Sequence, residues 1–455
     1  MEKEINELIK QRFAKLDALK QSGVDPYGHA FADITPIKDL VGQFEGEGQD
    51  PSGKAVIAAG RIMAMRLHGK SIFCDLRDQQ AKIQLYIKAD IVGKEQFDII
   101  EKADIGDLAG IKGELFKTRT GEPTIKVLEF TLLAKSLRPL PEKWHGLKDV
   151  ETRFRQRYVD LIVNENVKKI FYTRSGIVTR IRQYLDQRGY LEVETPMMHP
   201  IAGGAAGKPF KTHHETLDMD LFLRIAPELY LKKLLVGGLE RVYEINRSFR
   251  NEGISPRHNP EFTMLEVYAA YSDCEGMMRL TEGMIRHLAR EVLGKEALAY
   301  QGQDIDLTKW DRISFADLMK ENFDISPEDD TKTWIDKLKK KGVKLEKDAV
   351  SRTQLLNITA DLIEPKAKAN PVFVVDLFAE LCPLAKKKKD NPLLTDRFEL
   401  FVGGMEIANA YSELNDPIEQ KKRFMEQFEL QDDKKAKKSI DEDFVRALEY
   451  GMPPA

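Results

Sequence analysis

The chain has 455 residues, of which 42% are hydrophobic and 32% are charged, and its formal net charge is −3. This length predicts two to four domains, and the apolar fraction is sufficient for large globular cores. The nearly balanced charge excludes a strongly basic protein that binds nucleic acid through its overall charge. Any such function must therefore depend on local sequence pattern.

The N-terminal segment is predicted to be a charged amphipathic helix. Hydrophobic residues recur at helical spacing between Glu2 and Lys20, and Gly23 and Pro26 should end the helix. We expect this helix to pack on another element, and direct binding of RNA is the alternative. The residues from Ile34 to Gly53 are polar and Gly-rich, which indicates a loop or a poorly ordered connection.

Five short runs with strand character follow, separated by turn signals such as Gly69. A helical interruption is predicted near Gln96–Ala103. This order is typical of a small Greek-key barrel of the OB type. The five runs are Val56–Met65, Ser71–Arg77, Lys82–Ile87, Leu108–Lys117 and Thr124–Ala134.

The alternation within these strands predicts an aromatic ring on the polar face of the barrel. In Ser71–Arg77, Phe73 lies on the opposite face from the apolar residues, and Gln84 of the next strand should lie near it. OB barrels bind single-stranded bases by stacking on such rings and by hydrogen bonding to base edges. We therefore predict a nucleic-acid-binding face, and the alternative is that the following loop covers Phe73.

The remainder of the chain mixes long helical stretches with strands. An amphipathic helix is predicted at Ile170–Arg188 with Gly189 as its C-cap, and a short strand at Glu192–Pro196. The run Lys386–Lys389 indicates a solvated loop, with a substrate lid or an RNA contact as the alternative. The other predicted elements are a mostly helical region at Phe315–Lys366 and strands at Val372–Leu377 and Arg397–Ser412.

The three cysteines, Cys74, Cys274 and Cys382, lie far apart, and no C-x-x-C motif is present. We therefore expect reduced thiols, with no zinc site and no disulfide framework. No apolar run reaches the roughly 18 residues of a membrane-spanning helix, and the N-terminus is charged. The sequence thus predicts a soluble, cytoplasmic protein without membrane contact.

The most informative stretch runs from Phe249 to Glu266 and has the pattern strand, loop, strand. If Phe262 to Ala270 is a strand, Phe262, Glu266 and Tyr268 line one face together with Met264. Burial of an unpaired carboxylate is costly. A carboxylate beside a ring and a phenol therefore indicates a ligand pocket, and a structural ion pair is the alternative.

A second strand carries further acidic residues. Asn409, Tyr411 and Glu413 share one face, and Glu399 and Glu406 flank a Gly-Gly break. Two carboxylates of this kind suit Mg²⁺, which takes one or two of them together with substrate phosphates. The chain contains no G-x-x-x-x-G-K-[ST] loop and no G-x-G-x-x-G after a strand. Arginine and magnesium would then have to balance the charge of a bound nucleotide.

These stretches resemble the motifs of class II aminoacyl-tRNA synthetases. Phe249–Gly253 with His258–Glu266 is similar to motif 2, and Arg188–Pro196 is similar to motif 1. An N-terminal OB barrel marks the subgroup that charges lysine, aspartate or asparagine. Four further stretches are similar to the lysyl-tRNA synthetase family: Pro139–Leu147, Arg155–Leu161, Arg224–Tyr230 and Gly404–Pro417.

The resemblance covers essentially the whole chain and implies a fold and partners. The implied fold is α+β and multidomain, with an N-terminal OB-type β-barrel and a class II synthetase antiparallel sheet with flanking helices. The implied domains are an N-terminal helix and connection (1–53), an anticodon-binding barrel (54–140) and a catalytic domain (141–455) with a helical insertion at about 315–395. The implied partners are tRNA(Lys), L-lysine, ATP with Mg²⁺, and a second copy in a homodimer.

The resemblance also implies a role for each matching residue. Arg250 would bridge the lysine carboxylate and the α-phosphate, and Phe262 would stack on adenine. Glu399 and Glu406 would hold magnesium. The other ATP contacts would be Glu252, His258 and Asn259, and the lysine-binding residues Gly204, Glu228, Glu266, Tyr268, Asn409, Tyr411 and Glu413. The anticodon-reading residues would be Arg66, Phe73, Gln84 and Glu129.

Three alternative functions stay open at this point. An aspartate- or asparagine-type synthetase has the same motifs, but Glu266 and Glu413 favour a cationic amino acid, and no arginine for an anionic one is evident. A paralogue that transfers lysine to a protein would lack the anticodon barrel. A non-catalytic tRNA-binding protein on a synthetase scaffold is less compatible with Arg250, Glu399 and Glu406.

The family's motif 3 should follow Tyr450–Pro454, where this sequence ends. Its arginine would pack on the adenine opposite Phe262. The sequence could be an incomplete copy of a longer enzyme or a short form that binds without efficient catalysis. We expect weaker amino-acid activation and lower stability than in a chain that carries motif 3. Robust aminoacylation by the 455-residue protein would contradict this expectation.

Overall fold

The structure, a computed structural model, describes residues 2–45, 51–141, 147–205, 207–255, 258–345, 352–363, 369–429 and 440–455. Parts of several predicted segments lie outside these residues, namely 46–50, 142–146, 256–257, 346–351 and 364–366. The chain forms two compact units, Met1–Ile170 and Phe171–Ala455.

The first unit contains a closed five-stranded barrel. Its strands are β1 (Ala55–His68), β2 (Ser71–Arg77), β3 (Lys82–Lys88), β4 (Leu108–Lys117) and β5 (Pro123–Ala134). The strand order is β1-β2-β3-β5-β4, and only the β3–β5 pair is parallel. The helices are α1 (Glu2–Gln21), α2 (Ile37–Gly42), α3 (Ala89–Val92), α4 (Lys94–Glu101), α5 (Val150–Arg155) and α6 (Arg157–Val163). The predicted OB-type barrel is confirmed.

The barrel core follows the alternation of the sequence. The inward residues of β2 and β3 are all at most 3% exposed, namely Ile72, Cys74, Leu76, Ile83, Leu85 and Ile87. Successive side chains of a strand point to opposite faces, so the intervening residues lie on the outer surface. The core burial thus fixes which side chains of β2 and β3 are available to a ligand.

Helix α1 forms as predicted, but only the C-terminal part of its apolar stripe is buried. Leu16 and Leu19 are buried, whereas Leu8 and Phe13 are about half exposed. Arg12 is also buried, and its guanidinium donates to the backbone carbonyls of residues 105, 136 and 138. The helix is therefore anchored by its second half and by one arginine.

The prediction of a loop at Ile34–Gly53 is wrong at α2. Ile37 and Leu40 of this short helix are fully buried against the barrel. The backbone N–H of Ile37 donates to Asp78 Oδ2 at 2.8 Å, which ties the start of α2 to the barrel. Ile37, Leu40 and Val41 have the i, i+3, i+4 spacing of a helix, but the polar and Gly-rich composition of the whole segment indicates a loop.

The second unit is an α+β assembly, as predicted. Its strands are β6 (Leu191–Glu192), β7 (Met198–His199), β8 (Lys211–His214), β9 (Met219–Leu223), β10 (Arg241–Phe249), β11 (Glu261–Ala269), β12 (Ala297–Tyr300), β13 (Gln303–Asp306), β14 (Asp311–Ser314), β15 (Val372–Val375), β16 (Arg397–Val402) and β17 (Met405–Tyr411). Its helices, beginning with one that starts in the first unit, are α7 (Glu165–Asp186), α8 (Glu228–Val236), α9 (Cys274–Leu288), α10 (Phe315–Phe323), α11 (Thr331–Lys340), α12 (Arg352–Ile363), α13 (Pro417–Glu429) and α14 (Glu442–Glu449).

Two sheets of this unit carry the predicted site residues. One sheet has the order β11-β10-β6, and the other has the order β14-β15-β16-β17. The β10–β11 hairpin and the β16–β17 hairpin are both antiparallel. In β10–β11, Glu244 is paired with Glu266, and Ser248 is paired with Phe262. The alternation predicted for β11 is thus realised in an antiparallel hairpin.

The segment after α7 differs from the prediction. Gly189 has φ of 77°, and the N–H of Tyr190 donates to Leu185 O at 3.2 Å, which is a C-cap of the expected kind. However, the predicted strand at Glu192–Pro196 is wrong beyond Glu192. The N–H of Thr195 donates to the side chain of Glu244, and a proline cannot donate to a ladder.

The helical insertion and the lysine-rich loop can both be located. Helices α10, α11 and α12 confirm the helical prediction for the described part of that region. In the run Lys386–Lys389, the first three lysines contact Asn415, Glu419 and Asp376, respectively.

Cys74, Cys274 and Cys382 are buried thiols. Among the described residues, the helices include none that is both long and apolar enough to cross a membrane.

Candidate active site

The β10–β11 hairpin places two carboxylates opposite each other. Glu244 and Glu266 are register partners, so their side chains lie on the same face of the sheet. Glu244 is neutralised by Arg224, whose Nη1 lies 2.7 Å from Glu244 Oε1, and both side chains are 1% exposed. Glu244 also accepts from Thr195 Oγ1 and Asn246 Nδ2. Its charge is therefore fully balanced by the protein.

Glu266 lacks such a cation within the described part of the chain. It accepts a hydrogen bond from the Tyr268 hydroxyl at 3.0 Å, but no basic side chain of the described residues forms an ion pair with it. Burial, together with the nearby charge of Glu228, raises the pKa of Glu266 to about 8. Either a proton or a bound cation is required to make this carboxylate stable.

Lys232 of α8 joins two other acidic residues of the pocket. Its Nζ lies 2.6 Å from Glu228 Oε1 and 2.5 Å from Glu413 Oε2, and its side chain is fully buried. Burial alone would lower the pKa of Lys232, but the two carboxylates raise it above its ordinary value. The Tyr411 hydroxyl donates to Glu228 at 2.6 Å. The pocket is thus not purely acidic, since it contains one internal cation.

Gly204 lies directly against Glu228. Its φ is 86°, and a Cβ at this position would lie 3.3 Å from the Cβ of Glu228. A positive φ and a close approach both favour glycine here. The structure thus brings Gly204, Glu228 and Tyr411 together, as expected for residues assigned to the lysine amino and side-chain groups.

The β16–β17 hairpin presents the two predicted metal-binding glutamates. Glu399 is the register partner of Asn409, and Asn409 Nδ2 donates to Glu406 Oε1 at 3.0 Å. Glu399 also accepts from Arg397 at 2.7 Å, and Glu406 is exposed. Two carboxylates on neighbouring strands are compatible with Mg²⁺, provided that substrate phosphates supply further oxygen ligands.

No group of three or more potential metal-ligating side chains occurs among the residues that the structure describes.

Arg250 directly follows β10. It is an even number of residues from Glu244, which places it on the face of the hairpin that also carries Phe262. Its Cζ lies 5.3 Å from the centroid of the Phe262 ring. Its Nε is buried and has no hydrogen-bond partner among the described residues. A Cβ on Gly207 would lie 3.3 Å from Arg250 Cδ and 3.4 Å from Glu252 Oε1, so this loop approaches closely. A partly exposed guanidinium with one buried N–H that lacks a partner is suited to an oxyanion.

His258 and Asn259 lie at the other end of the hairpin loop. His258 Nδ1 is 2.9 Å from Ser255 Oγ, and Asn259 Nδ2 donates to Glu261 O at 2.6 Å. Both side chains are exposed. The structure therefore places these two predicted ATP-binding residues on the same hairpin as Arg250 and Phe262, in local turn contacts.

The barrel carries three of its four predicted residues on neighbouring strands. Arg66 is the register partner of Phe73, which in turn pairs with Tyr86. Gln84 lies two pairs further along β3 and accepts from Thr124 Oγ1 at 3.2 Å. The structure adds a row of rings that we did not assign: the centroids of Phe73 and Tyr86 are 5.1 Å apart, and those of Tyr86 and Phe116 are 6.0 Å apart.

Glu129 stands apart from this group. It lies on β5 and accepts from Lys112 Nζ at 3.0 Å, in a pair of strands that does not include Phe73. In register, Tyr86 pairs with Lys126, three residues before Glu129. The structure thus brings Arg66, Phe73 and Gln84 close together and places Glu129 further along the barrel surface.

The sequence analysis did not identify two charged side chains of the pocket, Lys232 and Arg224. Lys232 follows Glu228 by four residues, which is the helical spacing for an ion pair, and this signal could have been used. Arg224 lies in a loop and meets Glu244 only through the packing of separate segments. Its partner could not have been identified from the sequence alone.

Comparisons with known proteins show similarity over both units of the chain. Residues 149–455 match the family described as tRNA synthetases class II (D, K and N), and residues 56–133 match the OB-fold nucleic acid binding domain. A lysine–tRNA ligase of Carboxydothermus hydrogenoformans is 52% identical over 99% of this chain and 92% of its own length. Lysine–tRNA ligases of Thermoanaerobacter pseudethanolicus and Moorella thermoacetica are each 49% identical over 99% of this chain and over 90% and 92% of their own lengths.

Proposed function

Because this chain belongs to the class II tRNA synthetases of the aspartate, lysine and asparagine group, we propose that it is a lysine–tRNA ligase. It activates L-lysine with ATP and transfers the lysyl group to tRNA(Lys). The observation that carries this proposal is Glu266, a carboxylate on the pocket wall that no cation of the described chain neutralises. Aminoacylation of tRNA(Lys) with labelled lysine tests it, and preferential charging with aspartate or asparagine would refute it.

The acidic pocket selects the side chain of the amino acid. The ε-ammonium group of lysine is placed between Glu266, the Tyr268 hydroxyl and Glu413. A cation that binds there gives Glu266 the partner that it lacks and offsets the cost of burying its charge. An aspartate side chain would add a further negative charge beside Glu266 and Glu413, which is strongly unfavourable. This difference favours lysine over the other two amino acids of the group.

The remaining groups of the amino acid are held nearby. The α-amino group contacts Glu228 and the backbone at Gly204, which touch each other. Asn409 helps to bind the carboxylate, and Tyr411 orients Glu228 through its hydroxyl. These contacts fix both ends of the amino acid before the reaction, which lowers the entropic barrier.

ATP is bound along the same hairpin. Phe262 stacks on adenine, and Glu252, His258 and Asn259 contact the nucleotide. Arg250 holds the α-phosphate beside the lysine carboxylate, so that the carboxylate is aligned for in-line attack and pyrophosphate can leave. Arg250 also stabilises the negative charge that develops on the phosphoryl oxygens.

Glu399 and Glu406 would hold Mg²⁺, which neutralises phosphate charge when it is bound with ATP. Asn409 positions Glu406 by a hydrogen bond, and Arg397 positions Glu399 by an ion pair. The reaction needs no protein nucleophile, since the attacking group is the substrate carboxylate. The terminal ribose hydroxyl of the tRNA then attacks the lysyl-adenylate.

The barrel face is proposed to bind the anticodon. Phe73, extended by the rings of Tyr86 and Phe116, provides a stacking surface, and Arg66 and Gln84 add polar groups beside it. Glu129 contributes at a greater distance along β5. An aromatic row with flanking hydrogen-bonding groups is the usual arrangement for single-stranded bases on an OB barrel.

Phe73→Ala is expected to raise KM for tRNA(Lys) without changing lysine-dependent ATP–pyrophosphate exchange. Loss of one stacked base costs about 1–3 kcal/mol, which corresponds to roughly 5- to 150-fold. Tyr27→Ala, which removes another exposed ring of the same unit, serves as the control. Equal KM values for the Phe73 variant and the unaltered protein would contradict the role of this face.

We also expect a homodimer, as in the family motif that Arg188–Pro196 resembles. Ile170, Phe171 and Tyr172 of α7 are 66%, 50% and 48% exposed. Adjacent large apolar side chains with this exposure are typical of an interaction surface. The cytoplasmic location inferred from the sequence stays a prediction.

A further inference from the structure

Lys232 is a fully buried lysine in a pocket that is proposed to bind lysine. Its Nζ contacts Glu228 and Glu413, and it also lies 5.5 Å from the centroid of the Tyr411 ring and 6.0 Å from that of Phe444. A buried cation of this kind is stable only when carboxylates neutralise it. None of the proposed contacts to lysine or ATP involves Lys232.

The two oxygen atoms of Glu228 differ in their hydrogen bonds. Lys232 Nζ and the Tyr411 hydroxyl both donate to Oε1, at 2.6 Å each. Within the described part of the chain, Oε2 receives no hydrogen bond. Glu228 is therefore held in one orientation by two donors, and its second oxygen is available to another ammonium group.

Glu413 is held by an ion pair alone. Lys232 Nζ lies 2.5 Å from Oε2 without the geometry of a hydrogen bond, and the described residues provide no hydrogen bond to either oxygen of Glu413. Burial raises the pKa of Glu413, and Lys232 opposes this effect and favours the ionised form. Lys232 forms no ion pair with Glu266 and offsets its raised pKa only in part, so this carboxylate of the pocket still requires a cation.

We propose that Lys232 is a positioning residue that presents one oxygen of Glu228 and one oxygen of Glu413 to the two ammonium groups of the substrate. This inference rests on the proposed lysine-ligase function and extends it. Lys232 neutralises part of the pocket charge, so that the substrate side chain supplies the remaining cation at Glu266. The pocket then discriminates by charge without carrying several uncompensated carboxylates in the ligand-free protein.

The experiment is steady-state ATP–pyrophosphate exchange by Lys232→Met, which removes the ammonium group and retains an unbranched apolar chain. KM for lysine should rise by about 10- to 100-fold, the effect of losing one hydrogen bond to a charged group. KM for ATP should not change, because Lys232 contacts no residue assigned to the nucleotide. A purely structural role of Lys232 would raise KM for lysine and KM for ATP together.

Lys233→Met is the matched control. Lys233 is the next residue of α8, but its Nζ pairs with Asp443 at 2.7 Å, away from Glu228 and Glu413. This variant should keep the KM for lysine of the unaltered protein. An unchanged KM for lysine in Lys232→Met, or equal increases for lysine and ATP, would overturn the proposal.

A second comparison covers the case in which Lys232→Met does not fold. The double variant Lys232→Met/Glu413→Gln removes the uncompensated charge at Glu413 and is compared with Glu413→Gln alone. Weaker lysine binding by the double variant supports the proposal, and equal binding overturns it. If the unaltered protein activates no lysine, the proposed function fails and the role of Lys232 fails with it. A failure confined to the variants overturns the role of Lys232 alone.

Discussion

Replacement of Arg250 with alanine is expected to abolish lysine-dependent ATP–pyrophosphate exchange. The guanidinium lies beside Phe262, and its Nε is buried without a partner among the described residues. A charged donor in that state is already arranged for a phosphoryl oxygen and needs no reorganisation during the reaction. Loss of one preorganised donor costs about 10²–10³-fold in kcat. The guanidinium is also proposed to align the lysine carboxylate, so the loss should exceed this range.

The matched control for this prediction is Arg247→Ala on the same hairpin. Arg247 is exposed and pairs with Glu261 at 2.9 Å, and exposed pairs contribute little to stability. Both variants should keep the oligomeric state and the thermal stability of the unaltered protein. Exchange by Arg250→Ala at a nearly normal rate would show that the role of Arg250 is wrong.

The second large effect is expected for Glu266→Gln. This substitution keeps the shape of the side chain and the possibility of a hydrogen bond to Tyr268, but it removes the charge that the ε-ammonium group requires. Truncation of one partner in a buried charged pair costs about 2–5 kcal/mol, which corresponds to roughly 30- to 4000-fold in KM for lysine. KM for ATP should stay unchanged. Glu261→Gln, at the exposed start of β11, is the control.

The same carboxylate predicts a pH dependence. In the ligand-free protein, burial raises the pKa of Glu266 to about 8, and Glu228, Glu244, Tyr268 and Lys232 are the titratable groups that face it. At pH 7 the group is therefore protonated, and lysine binding releases the proton. Lysine affinity should increase from pH 6 to pH 8 and then level off.

The stability of the ligand-free protein should change with pH in the opposite direction to the lysine affinity. The folded pKa of Glu266 is above its ordinary value of 4.5. Its contribution to stability is complete below that value and is lost as the pH rises through about 8. Glu266→Gln should remove only part of the pH dependence of lysine affinity and of stability. The remaining part is expected from Glu413, because burial also raises its pKa. Identical pH profiles for Glu266→Gln and the unaltered protein, in calorimetric lysine titrations and thermal unfolding, would contradict this assignment.

The sequence predicted the elements that have strong periodicity. The alternation around Phe73 and Gln84 identified the outer face of β2 and β3, and the alternation from Phe262 to Tyr268 identified the pocket wall of β11. These predictions need only the period of a strand. The pairing of Glu399 with Asn409 does not follow from the Gly-Gly turn alone, because a register shift between Leu400 and Phe401 moves each partner by one residue.

The charge balance of the pocket was less predictable. The pairing of Arg224 with Glu244 depends on the packing of a loop against a strand, and the contact between Lys232 and Glu413 joins residues 181 positions apart. Neither contact has a local pattern, so the sequence alone indicated an acidic pocket without its internal cation. The short helix α2 was missed for a different reason, because its helical spacing of apolar residues covers only six residues within a polar, Gly-rich segment.

The central claim is that a wall of carboxylates selects an amino acid with a cationic side chain. Its most direct test is ATP–pyrophosphate exchange by the unaltered protein with lysine, norleucine, asparagine and aspartate, each tested at saturating ATP. This charge selection predicts the highest rate of exchange with lysine, and no exchange above background with norleucine, which has a similar shape but no charge, or with the other two amino acids. Exchange with norleucine or aspartate equal to that with lysine would contradict it.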